Sequence, residues 1–528
     1  MAKSYRRPFI GAKGTGPLIG GMRTSARLLT IVAASLPLAT PSPAMQTQAT
    51  RAAMPVPAAA DIHWYVIAAD NGDKVGFAWR QIVETPAGRE VIDHSQVRLR
   101  DTGGVDSSPR GTSRGVVQRI VQRSVTRLDR AGRVLSISDS SQMGLIQSSV
   151  EVRVSGDAAE VVRVAQGDRR TLRVPLPAGT RFDGGEGLLP GWDMRATPRL
   201  EFSNFNMVSM APERVVMTPV NGGAPDAEGQ IAVLRTRYDG QELRAVARLL
   251  LDRDGRIVSI TQPMFGTHIT TRTTDRATAM RPHQPYQAMQ NAMVRAPYRV
   301  PDNAVFGHLR FRFSFQGGVE FPFPQTGEQR VRMDGEQVVL DICQTCGPGL
   351  ATDPATLADA RRPTPWLQSD HPRLIALAMP VARMQVSETR KMELLLSRAI
   401  PLIPRVDYGG HFSALEALER RAGDCTESAV LLAALGRAAG IPTRVVSGLT
   451  YSRVPILGMS NAFMPHSWVV AYVDGRWKSF DLALERFDSS HIALTIGDGD
   501  ARSIMAASQL ASLLRWEAMM EVRRRPAA

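Results

Sequence analysis

Cys425, His466 and Asp481 are the residues whose types and spacing could do covalent chemistry in this sequence. A thiolate attacks an amide carbonyl, an imidazole carries the proton, and a carboxylate holds the imidazole in the required tautomer. Cys425 follows Gly423-Asp424 and precedes an apolar run, Ala429 to Ala439, that stops at Gly440-Ile-Pro442. Asp424 as N-cap, Glu427 as its capping-box partner, and Gly440 with Pro442 beyond it predict a helix that begins at the cysteine. In that first turn the helix dipole favours thiolate over thiol. A helix can also simply begin with a buried cysteine, so this stretch alone leaves both readings open.

His466-Ser-Trp-Val-Val-Ala-Tyr-Val473 and Arg476-Trp-Lys-Ser-Phe-Asp481 flank Asp474-Gly475, a strong two-residue hairpin signal. With that pair as the turn, Val473 lies opposite Arg476, and counting outward places Trp468 opposite Asp481. His466, two residues along, then shares a sheet face with Asp481. Diagonal neighbours lie roughly 7–8 Å apart between backbones, within reach of an imidazole and a carboxylate. The bland alternative is a solvated His/Asp pair on an edge hairpin.

Gly-Asp-Cys-Thr-Glu (423–427), Arg-Ala-Ala-Gly-Ile-Pro-Thr-Arg-Val-Val-Ser-Gly (437–448), His-Ser-Trp (466–468) and Trp-Lys-Ser-Phe-Asp (477–481) resemble the bacterial transglutaminase-like family in order and spacing. That family is papain-like in its Cys-His-Asp arrangement, and the resemblance covers roughly the last third of the chain. It implies an α+β core with Cys425, His466 and Asp481 as the catalytic residues. The family contains amide-bond hydrolases, acyl transferases and members without demonstrated activity, so it implies a site more firmly than a reaction. Tyr408 stands upstream, where family members often place a tyrosine.

The elements that must position these residues occupy 366–528. Leu374–Met379 and Glu388–Ile400 are helical by period, with Ser387 as a cap, and Ser413–Arg421 is a short helix leading into Gly-Asp-Cys. Thr443–Tyr451 predicts a buried strand and Ser452–Pro465 a loop bordering a cleft. His491–Ile496 and Trp516–Val522 predict further strands, with a helix at Ser503–Leu513 between them. The expected product is a helix packed on an antiparallel sheet.

Upstream, residues 61–280 read as an antiparallel all-β domain. Asn71-Gly72 between Trp64–Ile67 and Val75–Trp79 predicts a hairpin. Leu128-Asp-Arg-Ala-Gly-Arg-Val-Leu-Ser-Ile137 returns as Leu251-Asp-Arg-Asp-Gly-Arg-Ile-Val-Ser-Ile260, an internal repeat of strand, turn and strand. Residues 281–365 form a proline-rich transitional module with strands at Leu309–Phe315 and Gln337–Ile342. The second runs into Cys343-Gln-Thr-Cys346, which reads as a local disulfide, a pair of free thiols or part of a metal site. With three cysteines in all, closing that pair leaves Cys425 as the odd thiol.

Residues 1–44 carry Lys3, Arg6, Arg7, Lys13, Arg23 and Arg27, no acidic residue, and an apolar stretch from Leu28 to Ala39 before Pro41-Ser-Pro-Ala44. This predicts a cleaved signal peptide and a periplasmic or secreted protein, with 45–60 as a flexible leader. The apolar stretch is shorter than the about 20 residues a membrane span needs. Removing those six basic residues takes the formal charge from +14 to +8. The basic residues form no stripe with interleaved aromatics, which argues against nucleic acid as a partner. No cofactor or metal site is expected: Asp498-Gly-Asp500 is too sparse for a Ca²⁺ shell. The reading is an exported cysteine enzyme acting on peptide or protein amides, a hydrolase before an acyltransferase. The alternatives are a non-catalytic envelope scaffold and a thiol-redox protein using Cys343 and Cys346.

Overall fold

Apolar and polar residues alternate along most of the chain from Ile62 to Thr274, with Asn, Asp and Gly at the breaks. That pattern gives strands with one buried face. The computed structural model describes residues 62–100, 117–143, 146–165, 168–264, 266–316, 319–406, 411–456 and 458–522. The signal peptide and leader expected over residues 1–60, and Tyr408, lie outside the described residues.

The N-terminal region is one antiparallel sheet of 14 strands. From Ile62–Ala69 the chain meanders outward to an edge at Asp168–Pro175, crosses through residues 176–199 to the opposite edge at Leu200–Asn206, and meanders back until Thr267–Thr274 pairs with the first strand. Ile137, Val152 and Val161 from the first half share a core with Phe205 and Met210 near the other edge, so the sheet curls on itself. The sequence repeat is a pair of equivalent hairpin turns. Asp129 Oδ1 accepts from the Ala131 and Arg133 amides, and Asp252 Oδ1 accepts from those of Asp254 and Arg256. The pairing register shifts by one residue beside each turn. Gly132 and Gly255 take the positive φ (80° and 74°) that each turn requires.

The C-terminal region is mixed α+β. Thr443–Ser452 lies between Ala462–Val473 and Ile492–Gly497, and Arg476–Phe480 and Val294–Arg295 pair with Ala462–Val473. The Cys425–Ala438 helix packs across this sheet: Val430, Leu431, Leu432 and Leu435 meet Val445, Val469 and Ala471 in one core with the Pro372–Ala382 and Glu388–Ala399 helices. Ser387 and Ser413 cap their helices as expected. Ser452–Pro465 is only partly a loop, because the strand already begins at Ala462 and pairs with Ser452. Buried Phe463, packed against Phe311 and Trp516, draws those residues into the sheet.

A second sheet joins the regions. Leu309–Phe315, Gln329–Asp334 and Gln337–Ile342 form it with Leu514–Glu521 from the far end of the described chain. Leu243 and Val246 of the curled sheet share a core with Phe311, Phe463 and Leu510. Among the described residues, no helix is long and apolar enough to cross a membrane.

Candidate active site

Three local structures bring the site together. The first is the start of the Cys425–Ala438 helix, where the Asp424 side chain accepts from the Thr426 and Glu427 amides and Glu427 returns to the Asp424 amide at 2.9 Å. That capping box leaves the Cys425 amide unengaged by the cap. Glu427, wholly buried, also accepts from the Phe412 amide at 2.9 Å, tying the preceding helix to this one. Gly423 is required here, since a Cβ would lie 2.4 Å from that of Glu427.

The second is the Asp474-Gly475 hairpin. Both residues have positive φ, 50° and 83°, and Val473 pairs with Arg476 as the sequence predicts. The register continues outward so that His466 Nε2 and Asp481 Oδ2 meet at 2.7 Å, both buried. His466 in turn lies close enough to the Cys425 thiol to pull its pKa down. The predicted cysteine, histidine and aspartate are therefore contiguous.

The third is a residue the sequence reading did not single out. His491, at the entry to Ile492–Gly497, places Nε2 3.0 Å from the same Asp481 oxygen and Nδ1 3.1 Å from Asp488 Oδ1. Its only sequence signal is the Asp488-Ser-Ser-His491 turn, in which Asp488 accepts from Ser490. Trp468 closes the set, its ring 6.2 Å from His466 and 5.0 Å from His491. Below the strands, Glu328 accepts from the Ser479 amide and hydroxyl, and Gln329 pairs with both backbone groups of Ala493. These bonds fix the strands that lead into Asp481 and out of His491.

Electrostatics follow the geometry. Burial acts to lower His466, but the Asp481 carboxylate and the facing sulfur raise it to about 9. His491 also rises to about 9: burial is outweighed by its bonds to Asp481 and Asp488. Burial alone would lift Asp481, yet the two imidazoles hold it well below the usual carboxylate range. The cysteine differs from expectation. Although Cys425 keeps some exposed surface, burial and then Asp424 push its thiol up, while His466 and the Ser467 amide pull it down. Helix position alone therefore does not make the thiolate; the imidazole must. Burial, then mutual repulsion with Glu427, also raises Asp424 well above its ordinary value.

The ligand atoms of His466, Asp481 and His491 lie within 4.8 Å of one another, close enough to consider a metal. Both imidazoles already spend Nε2 on one oxygen at hydrogen-bond distance, so a metal would have to replace both bonds. Asp498 and Asp500 serve other ends: Asp498 takes Arg437 and Arg444, and Asp500 caps the Ala501–Ser512 helix. Cys343 and Cys346 are bonded to each other, and Cys425 is the free cysteine.

A family profile for the transglutaminase-like superfamily matches residues 384–482, the span from before the second helix to just past Asp481. Residues 384–482 are a transglutaminase-like domain. His491 lies beyond the matched span. A comparison with curated proteins found no match. Among solved structures, a β-barrel-like protein from Brucella abortus aligns at 12% identity over 40% of this chain and 95% of its own, with a TM-score of 0.31. A candidate cysteine protease from Cytophaga hutchinsonii aligns at 18% identity over 40% of this chain and 87% of its own, with a TM-score of 0.25. The periplasmic domain of TgpA from Pseudomonas aeruginosa, bound to ethylmercury, aligns at 17% identity over 43% and 83%, with a TM-score of 0.24. Around the transglutaminase-like domain, the curled sheet and the four-stranded sheet are additional structure.

Proposed function

We propose that this protein is an exported cysteine enzyme that cleaves amide bonds in peptide or protein substrates. The observation that carries the reading is the placement of Cys425 beside His466, whose Nε2 is hydrogen-bonded to Asp481 at 2.7 Å. In the reaction, His466 holds the proton taken from the thiol, so that Cys425 adds to the carbonyl carbon as a thiolate beside the imidazolium. The oxyanion forms beside the Cys425 amide, which the capping box leaves free of the cap. His466 then gives its proton to the leaving amine as the C–N bond breaks, leaving a thioester on Cys425. Water, deprotonated by His466, releases the acid and restores the thiol. Asp481 keeps Nε2 of His466 occupied, so that its other nitrogen faces the sulfur.

The test is a panel of fluorogenic peptide amides and envelope peptides against wild type and Cys425→Ala, with a primary amine added in parallel. Release of free acid that vanishes in the variant supports hydrolysis. Amine-adduct formation in place of acid moves the reading to acyl transfer. Turnover unchanged in Cys425→Ala would refute a thiol mechanism. Appearance of the shortened chain, beginning near residue 45, in a periplasmic or culture fraction tests export.

A further inference from the structure

A cavity of about 200 Å³ lies on the inner face of the curled sheet, and none of Cys425, His466 and Asp481 lines it. Arg235, on the Ile231–Asp239 strand, forms part of its wall and is 2% exposed. Among the described residues its Nε has no hydrogen-bond partner, and the acids around it, Glu186, Glu213 and Asp183, act on it through space. Arg80 Nη1, Arg244 Nε and Arg502 Nε are likewise without a hydrogen-bond partner among the described residues. Each of the other lining arginines nevertheless has a carboxylate: Arg80 with Asp93 at 2.6 Å, Arg237 with Glu213 at 3.6 Å, Arg244 with Glu242 at 2.5 Å, and Arg502 with Asp239.

Burying a guanidinium without a direct partner costs free energy that an aliphatic side chain would not. Between Met217 and Ala247, its neighbours across the two adjacent strands, an aliphatic residue would suit the local core better. The crossover segment leaves room for the charge. Gly184 has φ +65°, and a Cβ there would lie 3.2 Å from Nη1 of Arg235. The rest of the wall includes apolar groups, among them Ile137, Phe182, Phe205 and Met207.

We propose that this cavity binds a small organic carboxylate, its head group on Arg235 and its apolar body among Phe182, Phe205, Met207 and Ile137. A carboxylate matches the flat fork of a guanidinium with two parallel hydrogen bonds. The lining sets Arg80, Arg235, Arg237, Arg244 and Arg502 against Asp93, Asp139, Asp183, Glu186 and Glu213, so a single negative charge meets a balanced wall, whereas a dianion meets stronger repulsion from the acids. At about 30 Å³ for each water-sized group, the volume takes roughly seven such groups, close to the size of a six-carbon aliphatic acid.

Titration calorimetry of the full chain with hexanoate, hexanamide and inorganic phosphate tests this. Hexanoate is expected to bind at least about tenfold more tightly than hexanamide, and Arg235→Gln to weaken hexanoate by about tenfold or more. Equal affinity for the acid and the amide, no binding of hexanoate at tens of millimolar, or affinity unchanged by Arg235→Gln overturns the proposal. Tighter binding of phosphate than of hexanoate overturns the ligand class. An Arg235→Gln chain that cannot fold also counts against it, because Arg235 would then belong to the fold; the hexanoate and hexanamide comparison in wild type needs no variant.

Discussion

In the C-terminal region Asp481 accepts from His466 and His491, His491 continues to Asp488, and Glu427 closes on the Asp424 and Phe412 amides. In the curled sheet Arg80 has Asp93, while the Nε of Arg235, a residue almost as buried, has no hydrogen-bond partner among the described residues. The first set is closed. Each acid has its donors, so the imidazoles are held in one orientation, which is what a proton carrier needs. The second set is open at one member, and that member faces a cavity. Closed networks preserve a geometry; an open one marks a place where something from outside would complete it.

The largest expected effect separates the regions by activity. Cys425→Ala and His466→Ala should each reduce amide turnover by at least about a thousandfold, because the residues act as a unit. Arg235→Gln, outside that unit, should leave turnover on a short peptide within about twofold of wild type. Steady-state assays on the three variants decide this.

Stability should separate them in the opposite sense. Asp481→Ala strands two buried imidazoles and should cost about 3–5 kcal/mol by urea denaturation. Arg235→Met removes a charge with no direct partner and should change stability by less than about 1 kcal/mol or increase it. Similar large losses in both variants would erase the distinction between closed and open sets.

The pH dependence sharpens the same contrast. His466 and His491 stand at about 9 in the folded chain against 6.5 for an ordinary histidine. Because the folded values are the higher ones, the stabilisation is fully present below about pH 6.5 and is lost as pH rises through about 9. Each histidine should contribute on the order of a few kcal/mol to that loss. Denaturation midpoints measured from neutral to alkaline pH should fall in wild type and stay flatter in Asp481→Asn.

A smaller effect is expected for His491→Gln, which keeps one donor to Asp481 without the positive charge. Turnover should drop by about tenfold, with the alkaline limb of the rate profile displaced. An unchanged profile would leave His491 a packing residue.

Much of the site was legible because it is written in local rules. The capping box needs only Asp424 and Glu427 three apart, and the hairpin register follows from Asp474-Gly475, so His466 and Asp481 could be paired by counting. The twin Asp-Arg-x-Gly-Arg turns were readable for the same reason. His491 was not, since its role depends on a strand that pairs with Thr443–Ser452 from the other side. Which of the two readings of Cys425 holds is not decided locally, because the dipole is a sequence-level feature, whereas burial and the raised Asp424 are tertiary. The closure of Leu309–Phe315 on Leu514–Glu521, about two hundred residues away, is likewise invisible to any local pattern. Arg235 shares one face of its strand with buried Val233, and the curl that closes that face into a cavity joins elements far apart in the chain.

The most direct test of the central claim is the alkylation rate of Cys425 by iodoacetamide from mildly acidic to alkaline pH, in wild type and in His466→Ala, with peptide mapping of the labelled site. If His466 is what holds the thiolate, the variant should label at least about tenfold more slowly near neutral pH, with its profile moved to higher pH. Equal rates and superimposable profiles would mean that Cys425 ionises without the imidazole, and the Cys425–His466–Asp481 line would then be an architectural feature rather than a catalytic one.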